Sequence, residues 1–269
     1  MKLFDYHTHN EISFDSEATL LGHCEWAVKK GLAELALTNH YELDMVLLGT
    51  AEAPDLEKEE TLLLEAKEAF ARKLDVLRGI EIGQPAYDPE AARKLVAKRD
   101  YDVVLGSQHN GKGNIDFYFM DCRSFSDDHL RDLWDTYLAD LITIAKKAEV
   151  DVLTHILYPV RYVEKERQYC FPVTKEAFEP VFKALIEREI ALEINTAAVR
   201  RGSLAEPDPC MELLTFYRSL GGEYLTLGSD AHVSPDVGAN FKEAVALAEG
   251  AGFRYLTRFR NRQKIMEAI

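Results

Sequence analysis

Leu3-Phe4-Asp5-Tyr6-His7-Thr8-His9, within MKLFDYHTHN at the start of the chain, is a short apolar run that closes on two histidines. In a strand, residues two apart point to the same face. At a rise of ~3.3 Å per residue their Cβ atoms stand about 6–7 Å apart. Two imidazoles at that spacing can lean onto one divalent ion. A fold that uses His7 and His9 in this way must bring further ligands from other strands to the same point.

The same device recurs along the chain. Strand candidates are Leu3–His9, Leu35–His40, Val76–Ile82, Asp102–His109, Val150–His155, Ile190–Thr196 and Tyr224–Asp230. Of the eight histidines, His7, His9, His40, His109, His155 and His232 lie at or just beyond the C-terminal end of one of these runs. Only His23 and His129 fall inside helix candidates. Glu81 stands at the end of the third run and Asp230 at the end of the seventh.

Helix candidates lie between the strands. Ser16 is placed to cap Ala18–Lys30, which Gly31 stops. Leu56–Lys73 is rich in good helix formers. Glu90–Lys98 follows Pro89, a residue suited to a first turn. Ser126 or Asp127 opens a helix to about Glu149. Lys175–Arg188 follows Thr174, and Cys210–Leu220 follows Pro209. Asn240–Gly250 and the tail Asn261–Ile269 complete the helical set.

Strands alternating with helices predict an α/β fold with a parallel sheet. Apolar runs such as Val103-Val104-Leu105 suit strands covered on both faces. Seven such units in this length fit a closed or nearly closed barrel, read as a single domain over residues 1–269. The first strand is not followed by GxGxxG, so a dinucleotide site has no support. In a barrel of this kind the C-terminal strand ends form the active face, where the histidines and carboxylates would converge.

Composition sets the outer limits. The chain has 269 residues, 47% of them hydrophobic, enough for a large core. With 32 Lys and Arg against 46 Asp and Glu, the formal charge is −14. That opposes a broad phosphate-backbone footprint and argues against nucleic acid as a partner. There is no apolar run of the ~18 residues that would predict a membrane span. The first residues lack a signal-peptide pattern, which points to the cytoplasm. Cys24, Cys122, Cys170 and Cys210 are scattered and read as free thiols.

HTH at His7–His9, TNH at Thr38–His40, GIEIG around Glu81, GSQH ending at His109, LTH ending at His155 and GSDAH at Gly228–His232 occur in one order along nearly the whole chain. In these pieces the chain resembles the PHP (polymerase and histidinol phosphatase) superfamily. DYHTHNEISFDS at Asp5–Ser16, YPVRY at Tyr158–Tyr162 and EINTAAVRRG at Glu193–Gly202 make it most similar to the monofunctional histidinol-phosphate phosphatases. The resemblance implies a distorted (β/α)7 barrel carrying three divalent metal ions. By position, His7, His9, Glu81 and Asp230 would hold one ion. Glu81, His109 and His155 would hold a second, with Glu81 bridging. Asp15, His40 and His232 would hold the third. The family often has Asp where Asn39 stands here. Strand alternation turns Asn39 behind the site, where its amide could orient His40.

The implied reaction is hydrolysis of L-histidinol phosphate, a small-molecule phosphate monoester, to L-histidinol and phosphate. Enzymatic accelerations of monoester hydrolysis reach ~10²¹. Clustered divalent ions meet such a barrier by neutralising phosphoryl oxygens and lowering the pKa of water. The chain has no GxSxG or P-loop, so direct attack by metal-bound hydroxide is favoured over a covalent intermediate. Three divalent ions outweigh Asp15, Glu81, Asp230 and a hydroxide, leaving the cluster at roughly +2 despite the acidic whole.

Arg161 follows the fifth strand and Arg200 the sixth; a guanidinium fork on these loops matches phosphate. Arg201 competes with Arg200 for that part. Asp230 and His232 are placed to relay a proton to the leaving alkoxide. The aromatic loop Asn110–Cys122, containing GKGNIDFYFMD, could wall the site and stack on an imidazole ring through Phe117 or Tyr118. Glu11 and Asp116 are the neighbouring carboxylates that could meet a substrate amine.

Other readings are a PHP-type phosphoesterase for phosphotyrosine or nucleotides, and a non-catalytic metal-binding module. An amidohydrolase barrel would require a metal-ligating lysine in mid-chain, and no lysine stands at a strand end. Imidazole and carboxylate ligands suit Zn, Fe or Mn alike. No motif fixes the oligomeric state.

Overall fold

The computed structural model describes residues 1–111, 115–163 and 170–269 in full and 164–167 by their backbone. Its apolar runs form the strands β1 (Phe4–Asp5), β2 (Glu34–Leu37), β3 (His40–Glu42), β4 (Asp75–Gly83), β5 (Val103–Ser107), β6 (Val152–Leu153), β7 (Ala191–Asn195) and β8 (Leu225–Gly228). Neighbours run parallel in the order β1-β2-β4-β5-β6-β7-β8, with Leu35 opposite Val76, Gly79 opposite Val103 and Leu192 opposite Leu225. Hydrogen bonds between the two ends of that order complete the ring. Tyr6 N donates to Leu227 O at 3.1 Å, and Asp230 N to His7 O at 2.8 Å. The fold is therefore a parallel α/β barrel, as the alternation of runs predicts.

One stave is broken. The expected strand Leu35–His40 is two pieces, β2 and β3, both paired with β4. Thr38 and Asn39 leave the ladder because their side chains serve the first strand's extension instead. Thr8 N donates to Thr38 Oγ1 and Asn10 N to Asn39 Oδ1, each at 3.0 Å. The break lets His40 restart opposite Glu81.

β2, β5, β7 and β8 are buried at every position, the mark of strands covered on both faces. Helices over Leu20–Lys29, Leu56–Phe70, Pro89–Val96, Asp127–Lys147, Lys175–Arg188, Met211–Ser219 and Phe241–Gly250 form the outer layer. Ser126 and Thr174 cap two of them, each accepting the backbone N–H three residues on. The first helix is capped by Thr19, not Ser16. Ser16 Oγ lies 2.9 Å from the carbonyl oxygens of both His9 and His232, so it ties two rim loops together.

The tail Asn261–Ile269 is not helical. β9 (Tyr255–Arg260) and β10 (Gln263–Ala268) form an antiparallel hairpin with Arg260 opposite Gln263. Asn261 and Arg262 both have positive φ, 49° and 62°, as a two-residue hairpin turn with the right twist requires. The hairpin's basic residues meet carboxylates at the strand starts. Arg258 pairs with Glu34, Arg260 with Asp75 and Arg262 with Asp151. The N-terminal rim of the barrel is thereby sealed, and the C-terminal rim is left for chemistry. Among the described residues no helix is long and apolar enough to cross a membrane.

Candidate metal centre

Glu81, near the end of β4, is the hub of the C-terminal rim. It is fully buried and its two oxygens serve different neighbours. Oε2 lies 3.3 Å from His7 Nε2, 3.5 Å from His9 Nε2 and 2.8 Å from His40 Nδ1. Oε1 lies 3.0 Å from His155 Nε2 and 3.2 Å from His109 Nε2. Asp230 faces the first group, with Oδ1 3.9 Å from His7 Nε2 and 3.6 Å from His9 Nε2. Its backbone is in the left-handed region at φ 53°, a conformation Asp tolerates and the bond to His7 O holds. Asp15, on the loop after β1, points Oδ2 at His232 Nε2 (3.0 Å) and His40 Nε2 (3.6 Å). The nine residues singled out in the sequence thus meet at one place, drawn from the ends of six staves.

Burial opposes charge at His7, His9, His40, Glu81, His109, His155 and Asp230, yet mutual attraction prevails for most of them. Glu193, Glu81 and Asp230 hold His7 well above the ordinary imidazole pKa. Glu81 and Asp15 do the same for His40, and Glu42 and Glu81 for His109. Glu81 and Asp230 are held well below the carboxylate range, chiefly by His7. Burial wins at His155, pushed down to about 4, and at His9, where His40 and His232 add repulsion. The cluster therefore draws positive charge into itself. Nε2 of His7, Nε2 of His9 and Oε2 of Glu81 are buried and have no hydrogen-bond partner among the described residues. Unpartnered buried donors and acceptors are rare, and this imidazole–carboxylate set fits divalent cations.

Asn39 does not reach His40. Its amide donates to Asn10 Oδ1 (2.8 Å) and Glu59 Oε2 (2.7 Å), and its oxygen accepts from Ser13 Oγ (2.9 Å). Ser13 Oγ then accepts from His40 N at 3.2 Å, so the influence is indirect and through the backbone. Burial pushes Glu59 up to about 7, against help from Asn39 and Arg99. With the folded pKa above the ordinary 4.5, stability from this site is intact in acid and is lost as pH rises through about 7. Glu59→Gln should therefore stabilise the protein at pH 8 by on the order of 2–3 kcal/mol, and by less than about 1 kcal/mol at pH 5. Thermal melts of both proteins at the two pH values measure it; a gain that does not shrink in acid would refute the assignment.

The cluster floors a cavity of about 870 Å³. Arg161 lines it, 2% exposed, with Nη1 3.3 Å from Asp230 Oδ2 and Nη2 donating to Asn195 Oδ1 at 3.0 Å. Asp208 also faces Nη2 at 3.4 Å; burial pushes its carboxyl up to about 6. Of the two following arginines, Arg200 pairs with Asp236 at 2.7 Å and donates to the Asp230 carbonyl oxygen at 3.3 Å, while Arg201 lines the cavity. Phe117 and Tyr118 both line it, but their rings pack on Tyr137 and Tyr162. The rings found on site imidazoles are Tyr158, 4.9 Å from His109, and Phe14, 5.5 Å from His40. Lys112, Gly113 and Asn114 of the same loop lie outside the described residues. Asp116 lines the cavity and accepts from the Tyr158 hydroxyl at 3.1 Å, while Glu11 is not among the lining residues.

Four further groups that no spacing rule marks stand at the site. Glu42 is buried against His109, Glu193 against His7, Asp208 against Arg161, and Tyr158 against two imidazoles. Glu42 and Asp208 end no apolar run. Glu193 sits inside one, directly after Ile190-Ala191-Leu192, and is marked there as the charged residue of a mostly apolar strand.

The family described as PHP domain matches residues 5–197, more than half of the chain. A histidinol-phosphatase of Lactococcus lactis is 27% identical over 267 residues, 96% of this chain and 95% of its own length. A probable histidinol-phosphatase of Clostridium acetobutylicum is 28% identical over 254 residues, 94% of this chain and 95% of its own. Among solved structures, the crystal structure of histidinol phosphate phosphatase from Lactococcus lactis, complexed with Zn, L-histidinol and phosphate, matches with a TM-score of 0.84. It covers 98% of this chain and 99% of that one at 23% identity, a likeness of fold.

Proposed function

The chain belongs to the PHP domain family, and from that membership we propose that it is a metal-dependent phosphomonoesterase converting L-histidinol phosphate to L-histidinol and phosphate. The observation that carries the reading is the convergence of six imidazoles and three carboxylates beneath a cavity that holds a buried arginine. Relatives named histidinol-phosphatase, matched over nearly their full lengths, support the choice of substrate.

In this reading His7, His9, Glu81 and Asp230 hold one ion, Glu81, His109 and His155 a second, and Asp15, His40 and His232 a third. Bound there, divalent Zn, Fe or Mn would supply neutralisation of phosphoryl charge and a water of lowered pKa. Arg161 grips the phosphate with a fork already fixed by Asp208 and Asn195, and Arg201 reaches it from the rim. Asp230 stays ionised, being held by His7, His232 and two arginines. The attacking water gives up the proton that the leaving oxygen takes, and Asp230 and His232, whose Nδ1 donates to the Asp230 carbonyl at 3.1 Å, stand beside that transfer. Phe117, Tyr118 and Tyr158 wall off water beside the substrate's ring.

Phosphate release from histidinol phosphate, phosphotyrosine and nucleoside monophosphates tests the reading. Histidinol phosphate should exceed the others in kcat/KM by at least about a hundredfold, a difference of about 2.7 kcal/mol. Dialysis against a chelator should abolish release, and adding Zn, Mn or Fe should restore it. Full turnover by metal-stripped protein would refute the mechanism, while a preference for phosphotyrosine would refute the substrate and leave the metal chemistry standing.

A further inference from the structure

Two buried carboxylates behind the cluster have no part in the reaction just described. Glu193 Oε1 lies 2.6 Å from His7 Nδ1, and Glu42 Oε1 lies 3.0 Å from His109 Nδ1. An ionised carboxylate accepts only, so each ring donates from Nδ1 and leaves Nε2 as the nitrogen turned inward, where a cation would displace any proton it carries. Both acceptors are themselves pinned. Glu193 Oε2 accepts from His155 N and from Asn195 Nδ2, each at 3.0 Å. Glu42 Oε2 accepts from Gln84 Nε2 at 2.6 Å.

Glycines make the room. A Cβ on Gly228 would overlap the Glu193 carboxylate and come within 2.7 Å of His7 Cβ. A Cβ on Gly83 would overlap the Glu42 carboxylate. Each carboxylate occupies the volume that a side chain on an adjoining strand would take.

The other rings are backed differently. His9 Nδ1 has only Ser13 Oγ at 3.3 Å, and His155 Nδ1 has no hydrogen-bond partner among the described residues. His232 Nδ1 faces a carbonyl, and His40 Nδ1 turns toward Glu81 and Glu42, both already engaged by inner rings. Each inner group therefore contains one carboxylate-backed imidazole. The outer group of Asp15, His40 and His232 contains none of its own. It is also the wet one: the Asp15 side chain is 39% exposed and sits on a loop, against 0% for Glu81.

We propose that Glu42 and Glu193 are positioning residues that grade the centre, making the two inner positions tight and leaving the outer one as an exchangeable cation site. A carboxylate behind a ligating imidazole fixes its tautomer and raises its basicity, and losing such a partner typically weakens metal affinity 10–100-fold. Exposure at Asp15 adds competition from water and the cost of ordering a loop side chain. The proposal rests on the metal-centre reading above but not on the identity of the substrate.

The test is competitive chelation of the Zn-loaded protein, with bound Zn counted at each chelator concentration. The wild type should release one equivalent at least about tenfold more readily than the rest. Asp15→Asn should lack that equivalent and keep the inner ones. Glu42→Gln and Glu193→Gln retain an oxygen acceptor for the ring N–H and should each weaken an inner equivalent by about 10–100-fold. Melting of the stripped proteins separates this from misfolding, and the stepwise release of the wild type needs no variant at all. Release of all equivalents in one step overturns the proposal. So does an Asp15→Asn protein that loses the tight Zn, or a Gln pair with unchanged inner affinity. Failure of the wild type to bind Zn, Mn or Fe at all would overturn the metal-centre reading itself.

Discussion

Glu81→Gln should lower kcat/KM for histidinol phosphate by about four orders of magnitude or more, equivalent to about 5.5 kcal/mol of transition-state stabilisation. No other side chain is asked to do as much. One oxygen of Glu81 faces His7, His9 and His40, and the other faces His109 and His155, all between 2.8 and 3.5 Å. Glutamine keeps the shape but replaces one oxygen by an NH2 group, which cannot ligate a cation and repels one. One inner position then meets an NH2 group and the other keeps only a neutral oxygen, so the single substitution weakens both. Bound metal should fall together with turnover, and the two are measured on one preparation by elemental analysis and phosphate release. Retention of more than about a tenth of wild-type activity with full metal content would refute the bridging role.

The same residue explains why so much of the site was legible from sequence. Six histidines and two carboxylates terminate apolar runs, and a parallel barrel brings run ends to one rim. Where that grammar holds, residue order alone predicts convergence; His7 and Asp230, far apart in the chain, are 3.9 Å apart at their nearest ligand atoms. Asp15 is different, since it lies on a loop and only the family likeness pointed to it. Glu42 and Glu193 were missed because their job is to face a ring from behind, and no spacing rule encodes which side of an imidazole a carboxylate approaches. Gly83 and Gly228 carried the signal in a form only coordinates can decode, as volume left for a neighbour's side chain.

The fold departs from the run pattern in two places. The run Leu35–His40 looks continuous, yet Thr38 and Asn39 spend their side chains on the backbone of Thr8 and Asn10. Side chains that bond locally compete with a ladder, and here the competition breaks a stave where the site needs His40 re-aimed. The tail reads as helical by composition, with Lys264, Met266, Glu267 and Ala268 all good helix formers. Tertiary pairing overrides that preference. Arg258, Arg260 and Arg262 find Glu34, Asp75 and Asp151 only if the tail folds back as a hairpin beneath the barrel.

Arg161→Met should reduce kcat/KM by about 10²–10⁴-fold, with much of the loss in kcat. A phosphate monoester passes through a loose transition state with charge spread over its three peripheral oxygens, and a guanidinium fixed beside them holds that transferring group in line. Arg161 is fixed in advance: Asp208, Asn195 and Asp230 hold it while it lines the cavity at 2% exposure. Arg161→Lys keeps the charge but loses the planar fork, and should recover only part of the activity. Arg201→Met, at the exposed rim, should cost less and act mainly on KM. Removing Arg161 also leaves Asp208 buried without its partner, which should cost about 3–5 kcal/mol of stability when the carboxyl is ionised. Because burial already lifts Asp208 to about 6, the group sheds that penalty by taking up a proton as pH falls. The Arg161→Met protein should thus melt closer to the wild type at pH 5 than at pH 8. A variant with normal kcat, or a stability loss indifferent to pH, would remove Arg161 from the phosphate site and Asp208 from its support.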